Sequence, residues 1–357
     1  MQSNKVAILN DTHSGIKNGS DIFLDYMEKF YRDVFFPYCE ENGIKTVIHL
    51  GDYYDHRKYV NYKVLRRNRE MFIDRLVELG MTMHIIPGNH DVYWKNTNDL
   101  CSLTEQLVHY DCIKVHMEPT ILHLDSGLDI ALLPWITDDN QETSLDFIAN
   151  APAPILMGHL ELEGFKYIGN TNTLSHGMNH KILSRYEMVL SGHYHTASRR
   201  DNVIYLGTQY ELTWSDYNDS KGFHVLDTNT RELEKVINHH KLFHKVSYDD
   251  SNEDSDVIVP DDLGSKFVKV VVVNKKDPFT FDQFLDMINV QEPFDLRIVE
   301  SFDEFTADSI KDQEISLQDT NQLLNSYVDA IETDLDKERI KKKLQELYVE
   351  AQSLEIA

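Results

Sequence analysis

Five short motifs combine carboxylate, amide and imidazole side chains, the groups that bind divalent metal ions in proteins. Each motif comes directly after a short apolar run; Val6 to Leu9, for example, is followed by Asn10, Asp11 and His13. Mixed oxygen and nitrogen ligands suit manganese, iron or zinc in five- or six-coordinate geometry better than a four-cysteine structural zinc site. The motifs are N-D-T-H at 10–13, G-D-Y-Y-D at 51–55, G-N-H-D at 88–91, G-H-L-E at 158–161 and G-H-Y-H at 192–195.

The motifs supply more candidate ligands than one metal ion can bind. A carboxylate shared by two ions about 3.5 to 4 Å apart fits the number of ligands, and such a pair activates a water for in-line attack on phosphorus. Any single motif also fits a simpler interpretation, a strand-end turn in which Gly supplies the backbone angle and Asp or Asn caps the next helix. Five motifs in order, each after an apolar run, favour the two-metal interpretation.

The apolar runs before the motifs predict buried strands. Runs of four or five apolar residues bounded by Gly or Pro are typical of strands covered on both faces. Between them, apolar residues recur at helical spacing in 22–36 and 63–79. Alternating strands and helices predict a layered α/β domain, in which ligand sites gather beyond the carboxyl ends of the strands. Polar residues from five strand ends could therefore meet at one place.

As a set, the motifs resemble the calcineurin-like metallophosphoesterase superfamily. Within it they are most similar to the SbcD-type repair nucleases, in the version that large tailed phages encode for recombination. The resemblance covers residues 1 to about 210. It implies an α/β fold with a layered β-sandwich core flanked by helices, a small α/β capping domain and a C-terminal helical segment. It also implies a metal-dependent DNA nuclease with 3′ to 5′ exonuclease and single-strand endonuclease activity in double-strand-break repair.

The resemblance assigns roles position by position. Asp52 would bridge two ions, and His90 would contact the scissile phosphate, stabilising charge or protonating the leaving oxygen. An alternative role for His90 is to orient the ligands. Manganese is the predicted metal because it suits mixed nitrogen and oxygen ligands, and magnesium is an alternative. The other implied ligands are Asp11, His13 and His195 for the first ion and Asn89, His159 and His193 for the second.

The sequence departs from the family pattern at one position. Many relatives carry a histidine three residues after the bridging aspartate, where this chain has Asp55 followed by His56. In the family that histidine is implicated in exonuclease activity. Either Asp55 or His56 is therefore the candidate to replace it as a catalytic residue.

Charge restricts where DNA could bind. The chain has 357 residues, 41% of them hydrophobic, and a formal net charge of −25. Because Lys and Arg make the phosphate contacts, a DNA path on such a protein must be local. One cationic cluster follows the second motif, and its alternative interpretation is the solvated face of a helix. Its members are Arg57, Lys58, Lys63, Arg66, Arg67 and Arg69.

Cysteine usage and hydropathy indicate the cellular compartment. The three cysteines lack C-x-x-C spacing, which argues against a disulfide framework or a thiolate zinc site. The first residues lack signal-peptide organisation, and no stretch is long and apolar enough to span a bilayer. We therefore expect a cytoplasmic protein with no membrane partner, located in the host cytoplasm if a phage encodes it.

The second half of the chain predicts smaller attachments. Two acidic segments are typical of linkers, and a strand–helix–strand pattern lies between them. Two amphipathic patterns in the tail either fold back or dock on an SMC-like coiled-coil ATPase subunit, the partner that the resemblance implies. Likewise, the helices at 22–36 and 63–79 either form a homodimer interface or only cover the sheet. The predicted parts are a nuclease domain at 1–245, a linker at 246–264, a capping domain at 265–302, a second linker at 303–316 and a partner-binding helical segment at 317–357.

Three functions fit the motifs. The first is the DNA nuclease. The alternative is a phosphoprotein or small-molecule phosphatase of the same superfamily, since G-D-Y-Y-D-H-R resembles the G-D-x-x-D-R element of Ser/Thr phosphatases. Their G-N-H-E is G-N-H-D here, however, and a phosphatase would not need a linker-borne helical tail. A non-catalytic binding subunit would have lost candidate ligands, and none of the seven is missing.

Overall fold

The computed structural model describes residues 3–168, 172–173, 177–251 and 259–300, together with 328, 337 and 339–341. The chain divides into two compact units, Met1–Ser301 and Phe302–Ala357. In the first unit, two six-stranded sheets share an apolar layer, and helices cover the outer face of each sheet. The predicted fold class, a layered α/β sandwich flanked by helices, is confirmed.

The strands fall into two large sheets and two small ones. The first large sheet has the order β14-β13-β1-β2-β3-β4, and the second has the order β11-β12-β10-β7-β6-β5. In chain order the strands are Lys5–Leu9 (β1), Thr46–His49 (β2), Thr82–Ile85 (β3), Ile113–Val115 (β4), Thr120–His123 (β5), Asp129–Leu133 (β6), Ile155–His159 (β7), Lys166–Ile168 (β8), Asn172–Thr173 (β9), Met188–Gly192 (β10), Ser198–Arg200 (β11), Val203–Tyr205 (β12), Gly222–Asp227 (β13), Leu233–Ile237 (β14), Phe243–Asp249 (β15), Phe267–Asn274 (β16) and Asp295–Val299 (β17).

The five motif strands are parallel within their sheets. In the first sheet β1 pairs with β2 and β2 with β3, while in the second β7 pairs with β10, all in parallel register. These strands are apolar throughout because both of their faces are covered. In β1, Val6 and Ile8 belong to the layer between the sheets, whereas Ala7 and Leu9 pack under helices. The carboxyl ends of all five strands are thereby brought to one edge of the sandwich.

Helices cover the outer faces of both sheets. The described α-helices are Ile16–Gly19 (α1), Asp21–Phe30 (α2), Phe36–Glu41 (α3), Tyr62–Asn68 (α4), Asp74–Glu78 (α5), Ser102–Gln106 (α6), Gln141–Asn150 (α7) and Pro278–Asn289 (α8). The two long helices predicted over the first sheet are present. Each contains a π-helical segment, Tyr31–Phe35 between α2 and α3 and Arg69–Ile73 between α4 and α5. The two π segments pack together, with the rings of Tyr31 and Phe72 centred 4.8 Å apart.

The aromatic stripe of the first long helix is used inside the unit. Phe23, Met27, Phe30, Tyr31 and Phe35 are all buried in the core under the first sheet. These side chains therefore cover the sheet, which was the alternative interpretation of the stripe. They do not form a dimer surface. The predicted homodimer itself stays a prediction.

A small three-stranded sheet follows the sandwich. In it β15, β16 and β17 are parallel neighbours, and α8 packs on them through Phe281, Phe284 and Ile288. The predicted strand–helix–strand unit is present, with one further strand. That strand, β15, runs across the predicted boundary between 245 and 246, so the predicted linker at 246–264 begins inside a strand. The reason is burial, because Val246 and Tyr248 belong to the small core that α8 covers.

The C-terminal unit is described at five residues only, all helical. The predicted linker at 303–316 and the predicted partner-binding helices at 317–357 otherwise lie outside the described residues. Within the described part of the chain, no helix has the length and apolar character needed to cross a membrane.

Candidate metal centre

The five motifs meet at one edge of the sandwich. All seven predicted ligands lie there, either at the last residue of a motif strand or in the turn that follows it. They are Asp11, His13, Asp52, Asn89, His159, His193 and His195. Every one of them is buried or half-buried. Burying so many polar and ionisable groups together is costly unless their charges are balanced.

One group of candidate ligands comprises Asp11, His13 and His195. Their ligand atoms lie within 4.8 Å of one another. The Nε2 atoms of His13 and His195 are 3.1 Å apart, and Nε2 of His195 is 4.0 Å from Oδ1 of Asp11. Two imidazole nitrogens and a carboxylate oxygen thus converge on one point, as the first predicted ion requires.

A second group comprises Asp52, His159, His193 and Asn89. Nε2 of His159 lies 3.4 Å from Oδ2 of Asp52. The amide oxygen of Asn89 lies 3.0 Å from Nε2 of His159 and 2.9 Å from Nδ1 of His193. The group therefore offers two imidazoles, an amide oxygen and a carboxylate, a donor set that suits manganese, iron or zinc.

Asp52 connects the two groups. Its Oδ2 lies 3.7 Å from Nε2 of His13 on one side and 3.4 Å from Nε2 of His159 on the other. Asp52 also shares a third cluster with His13 and His90. One carboxylate placed between two sets of nitrogen donors is the arrangement that a bridged pair of divalent cations needs. By its chemistry the donor set fits two such ions.

The backbone of the ligand turns is unusual. Asp11, His13, Asp52 and His193 have φ angles of 47°, 43°, 54° and 87°, in the left-handed region that few L-residues adopt. Local hydrogen bonds hold the turns together. The amide of Asp11 donates to the carbonyl of Gly51, and the amide of His193 donates to both carboxylate oxygens of Asp11. These bonds tie the first, second and fifth motifs into one framework.

Two glycines allow the second and third motifs to approach. A Cβ atom at Gly51 would collide with the backbone of Gly88, and a Cβ atom at Gly88 would collide with the carboxylate of Asp52. Both positions therefore require the absence of a side chain. The close approach places Asn89 and His90 beside Asp52.

Proton affinities in the site reflect the crowding of charge. Burial opposes a charge on His13, but the carboxylates of Asp55 and Asp52 outweigh it and raise the pKa of His13 to about 10. Burial likewise disfavours a charge on His159, but Asp52 raises the pKa of His159 to about 9. For Asp52, burial acts to raise the pKa, yet the charges of His159 and His90 hold that pKa well below its usual range. Protons on His13 and His159 thus balance Asp52, and a divalent cation bound there has to displace them.

His90 lies next to the ligands. Its amide donates to Oδ1 of Asp52 at 2.7 Å, and its ring stands edge-on to His13 with centroids 4.8 Å apart. Nδ1 of His90 lies 2.6 Å from the backbone carbonyl oxygen of Asp55, to which it donates. The ring is thereby fixed, and Nε2 is the nitrogen left to exchange a proton.

Comparison with known proteins identifies the family of the chain. A sequence profile described as calcineurin-like phosphoesterase matches residues 4–197, which is more than half of the chain and includes all five motifs. The chain belongs to the calcineurin-like phosphoesterases. The predicted superfamily is confirmed.

Two relatives extend the similarity beyond the motifs. Exonuclease subunit 1 of Enterobacteria phage T4 is 32% identical over 354 residues, which cover 97% of this chain and 99% of the relative. A subunit of the nuclease SbcCD from Staphylococcus epidermidis is 26% identical over 264 residues, 64% of this chain and 67% of the relative. The predicted similarity to SbcD-type and phage nuclease subunits is confirmed. This phosphoesterase is therefore a metal-dependent hydrolase.

Among solved structures, a novel archaeal phosphodiesterase aligns with 65% of this chain and 99% of its own length. The sequence identity is 16% and the TM-score is 0.34. The family assignment rests on the sequence matches.

Asp55 and His56 lie in different surroundings. Oδ1 of Asp55 lies 3.3 Å from Nδ1 of His13, so its carboxylate faces a candidate ligand, while its carbonyl oxygen holds His90. His56 instead stacks on Tyr59, with ring centroids 4.6 Å apart. Of the two residues that could replace the family histidine, Asp55 is the one whose side chain contacts the ligand cluster.

The predicted DNA-contacting cations differ in their surroundings. The four on the helix form ion pairs, which supports the helix-face interpretation for them; Lys58 is exposed. Arg57 is half-buried and lies within electrostatic reach of Asp52. The ion pairs are Lys63 with Asp21 at 3.0 Å, Arg66 with Glu70 at 2.8 Å, Arg67 with Asp25 at 2.7 Å, Arg67 with Glu28 at 2.6 Å and Arg69 with Asp74 at 4.0 Å.

Asp91 links two motifs and was not predicted as a site residue. Its carboxylate accepts hydrogen bonds from the backbone amides of Tyr53, Tyr54 and Gly88 at 2.9 to 3.3 Å. The second and third motifs are thus held by one buried side chain. The only sequence signal was its place at the end of G-N-H-D, where a capping role explained it equally well.

Replacing Asp91 with alanine is expected to lower the free energy of unfolding by about 3 kcal/mol, because buried amides lose a charged acceptor. Metal affinity should fall by roughly tenfold or more, as it does when groups that orient ligands are removed. Urea unfolding and calorimetric metal titration measure the two effects. Asp99→Ala, an exposed aspartate in the following loop, is the control. Unchanged metal affinity in Asp91→Ala would limit Asp91 to a role in folding.

Proposed function

We propose that this phosphoesterase is a two-metal DNA nuclease that hydrolyses phosphodiester bonds at DNA ends. The observation that carries the proposal is the position of Asp52, whose Oδ2 faces His13 on one side and His159 on the other. A carboxylate between two groups of nitrogen donors is expected where two cations act on one phosphate. The nuclease names of both relatives supply the substrate class.

The proposed allocation of ligands follows the two groups. Asp52 serves both ions. When bound, the ions activate the attacking water and neutralise charge on the phosphate. Manganese is the proposed metal, since nitrogen and oxygen donors in expanded coordination suit it, and magnesium is the alternative. Asp11, His13 and His195 hold the first ion, and Asn89, His159 and His193 hold the second.

The proposed catalytic residue outside the ligand set is His90. Its Nδ1 is engaged by the carbonyl of Asp55, which directs the ring and leaves Nε2 for the substrate. A protonated Nε2 can donate to a phosphate oxygen or to the departing 3′ or 5′ oxygen of the cleaved strand. Asp55 supports the reaction indirectly, through its carboxylate beside His13 and its carbonyl oxygen on His90.

The proposed assembly follows the names of the relatives. One is called an exonuclease subunit, and the other is named as a subunit of the nuclease SbcCD. We propose that this chain also works as a subunit, with an SMC-like ATPase docked on the predicted helices at 317–357. A homodimer, a 3′ to 5′ exonuclease activity with single-strand endonuclease activity, and a location in the cytoplasm complete the proposal.

The decisive experiment compares two substrate classes. The purified chain is incubated with end-labelled DNA or with a phosphopeptide, in manganese, in magnesium and in EDTA. We expect manganese-dependent cutting of DNA that EDTA abolishes, and no release of phosphate from the peptide. Rapid phosphate release with intact DNA would instead identify a phosphatase of the same superfamily.

A further inference from the structure

An exposed aromatic platform lies in the loop that follows the second motif. His56 and Tyr59 stack with ring centroids 4.6 Å apart and planes 22° from parallel. Tyr59 is 58% exposed, so more than half of its side chain is open to solvent. An open cavity of about 150 Å³ lies against both rings and is also lined by Gly15, Tyr54 and Asn61. We call the His56 and Tyr59 pair the aromatic platform.

The aromatic platform is adjacent to the metal centre. Nε2 of His56 lies 3.8 Å from Oδ2 of Asp55, and Oδ1 of Asp55 lies 3.3 Å from Nδ1 of His13. One carboxylate therefore separates the platform from a candidate ligand. The platform is therefore close enough to the candidate ligands for one substrate strand to contact both.

Arg57 and Lys95 are cations from the loops that follow the second and third motifs. Arg57 follows His56 in the loop and lies within electrostatic reach of Asp52. Lys95, which follows the third motif, lies within electrostatic reach of Arg57, since burial and the charge of Arg57 both lower the pKa of Lys95. Among residues 3–168, 172–173, 177–251 and 259–300, neither of them forms an ion pair. Trp94, next to Lys95, is 47% exposed.

We propose that the aromatic platform receives an unstacked nucleobase of the substrate strand, while Arg57 and Lys95 hold its phosphates. The proposal rests on the nuclease function proposed above and names the residues that hold an unpaired strand beside the metal centre. Aromatic rings combined with unpaired cations are the features by which proteins bind single strands without regard to sequence. The base must leave its neighbours to reach Tyr59, because both of its faces are covered inside a duplex.

Tyr59 stacks on His56 and still has an exposed surface, which a nucleobase could contact by the ring stacking that aromatic groups favour. His56 acts here as a positioning residue, since it orients the Tyr59 ring and does not touch the metal-binding groups directly. Nε2 of His56 lies 3.8 Å from Oδ2 of Asp55, on the side of the metal centre.

The test uses two single-stranded oligomers of equal length with one labelled end. One is oligothymidylate, and the other has the same backbone with every base removed. We expect the wild-type chain, in manganese, to cut oligothymidylate with a kcat/KM roughly tenfold or more above that for the abasic oligomer. Tyr59→Ala should lose this advantage and cut the two oligomers equally. Tyr59→Phe, which keeps the ring, should retain it.

Tyr62→Ala is the matched control. Tyr62 is 89% exposed, lies three residues away and is no part of the stack, so its removal should leave both rates unchanged. An equal fall in both rates for Tyr59→Ala, or no fall in either, would overturn the aromatic platform while leaving the nuclease function in place. A wild-type chain that cuts neither oligomer in manganese would overturn the nuclease function and the platform together.

Discussion

Replacing Asp52 with alanine is expected to lower kcat/KM for DNA cleavage by roughly a thousandfold or more. The loss of the carboxylate between the two ligand groups removes several kcal/mol of charge stabilisation, and each 1.4 kcal/mol is about a factor of ten in rate. The second effect is on metal content. Both ions are proposed to share Asp52, so bound manganese measured by mass spectrometry should fall for both and not for one alone.

Asp52→Asn removes the negative charge of the side chain but keeps its shape. The asparagine keeps an oxygen for the amide of His90, which donates to Asp52 at 2.7 Å, but it cannot bridge two cations as a carboxylate does. We expect Asp52→Asn to lose activity nearly as completely as Asp52→Ala while remaining folded. Asp125→Ala, an exposed aspartate in the described part of the chain, should behave as wild type. An Asp52→Asn variant with full metal content and wild-type activity would contradict the bridging role.

Replacing His90 with alanine is expected to lower kcat by about a hundred- to a thousandfold without changing metal content. A positioned proton donor contributes roughly this factor to a hydrolysis. The backbone amide that holds Asp52 remains in the variant, so the ligand framework should persist. Single-turnover cleavage of end-labelled DNA measures the chemical step, and a metal titration of the same preparation measures the affinity for manganese.

The two roles considered for His90 predict different results. A residue that only orients ligands would, when removed, weaken metal binding and recover activity at high manganese concentration. A group that acts on the substrate would leave the metal titration unchanged and the rate low at every concentration. His109→Ala, an exposed histidine, is the control. Recovery of the His90→Ala variant in excess manganese would assign His90 to positioning.

The sequence predicts the strands of the sandwich because burial on both faces leaves a simple signal. An apolar run that stops at a metal-binding residue marks both the strand and the edge where its end lies, as Leu9 and Asp11 illustrate. The same reasoning misses β15. Asp249 and Asp250 resemble a linker, yet Tyr248 before them is fully buried against α8. Composition reports the average of a segment, whereas one buried side chain decides where a strand runs.

Side-chain pairing between neighbouring helices is one part of the structure that could not be predicted from the sequence. Arg67 is 42 residues from Asp25, and the salt bridge between them depends on how two helices pack. The choice between Asp55 and His56 depends on which side chain the turn points at His13. A local motif cannot contain this information, because neighbouring residues in a loop can face opposite directions.

The left-handed backbone at four candidate ligands costs conformational stability at positions where a metal-binding side chain is needed. At Asp11, His13, Asp52 and His193, glycine would adopt the observed φ without strain, and each strained residue costs on the order of 1 kcal/mol. Glycine has no side chain with which to bind a metal. A search for stabilising substitutions that scored backbone strain alone would therefore choose glycine at these positions. It would remove the active-site ligands, together with the hydrogen bonds that Asp11 accepts from His193 and Asp52 accepts from His90.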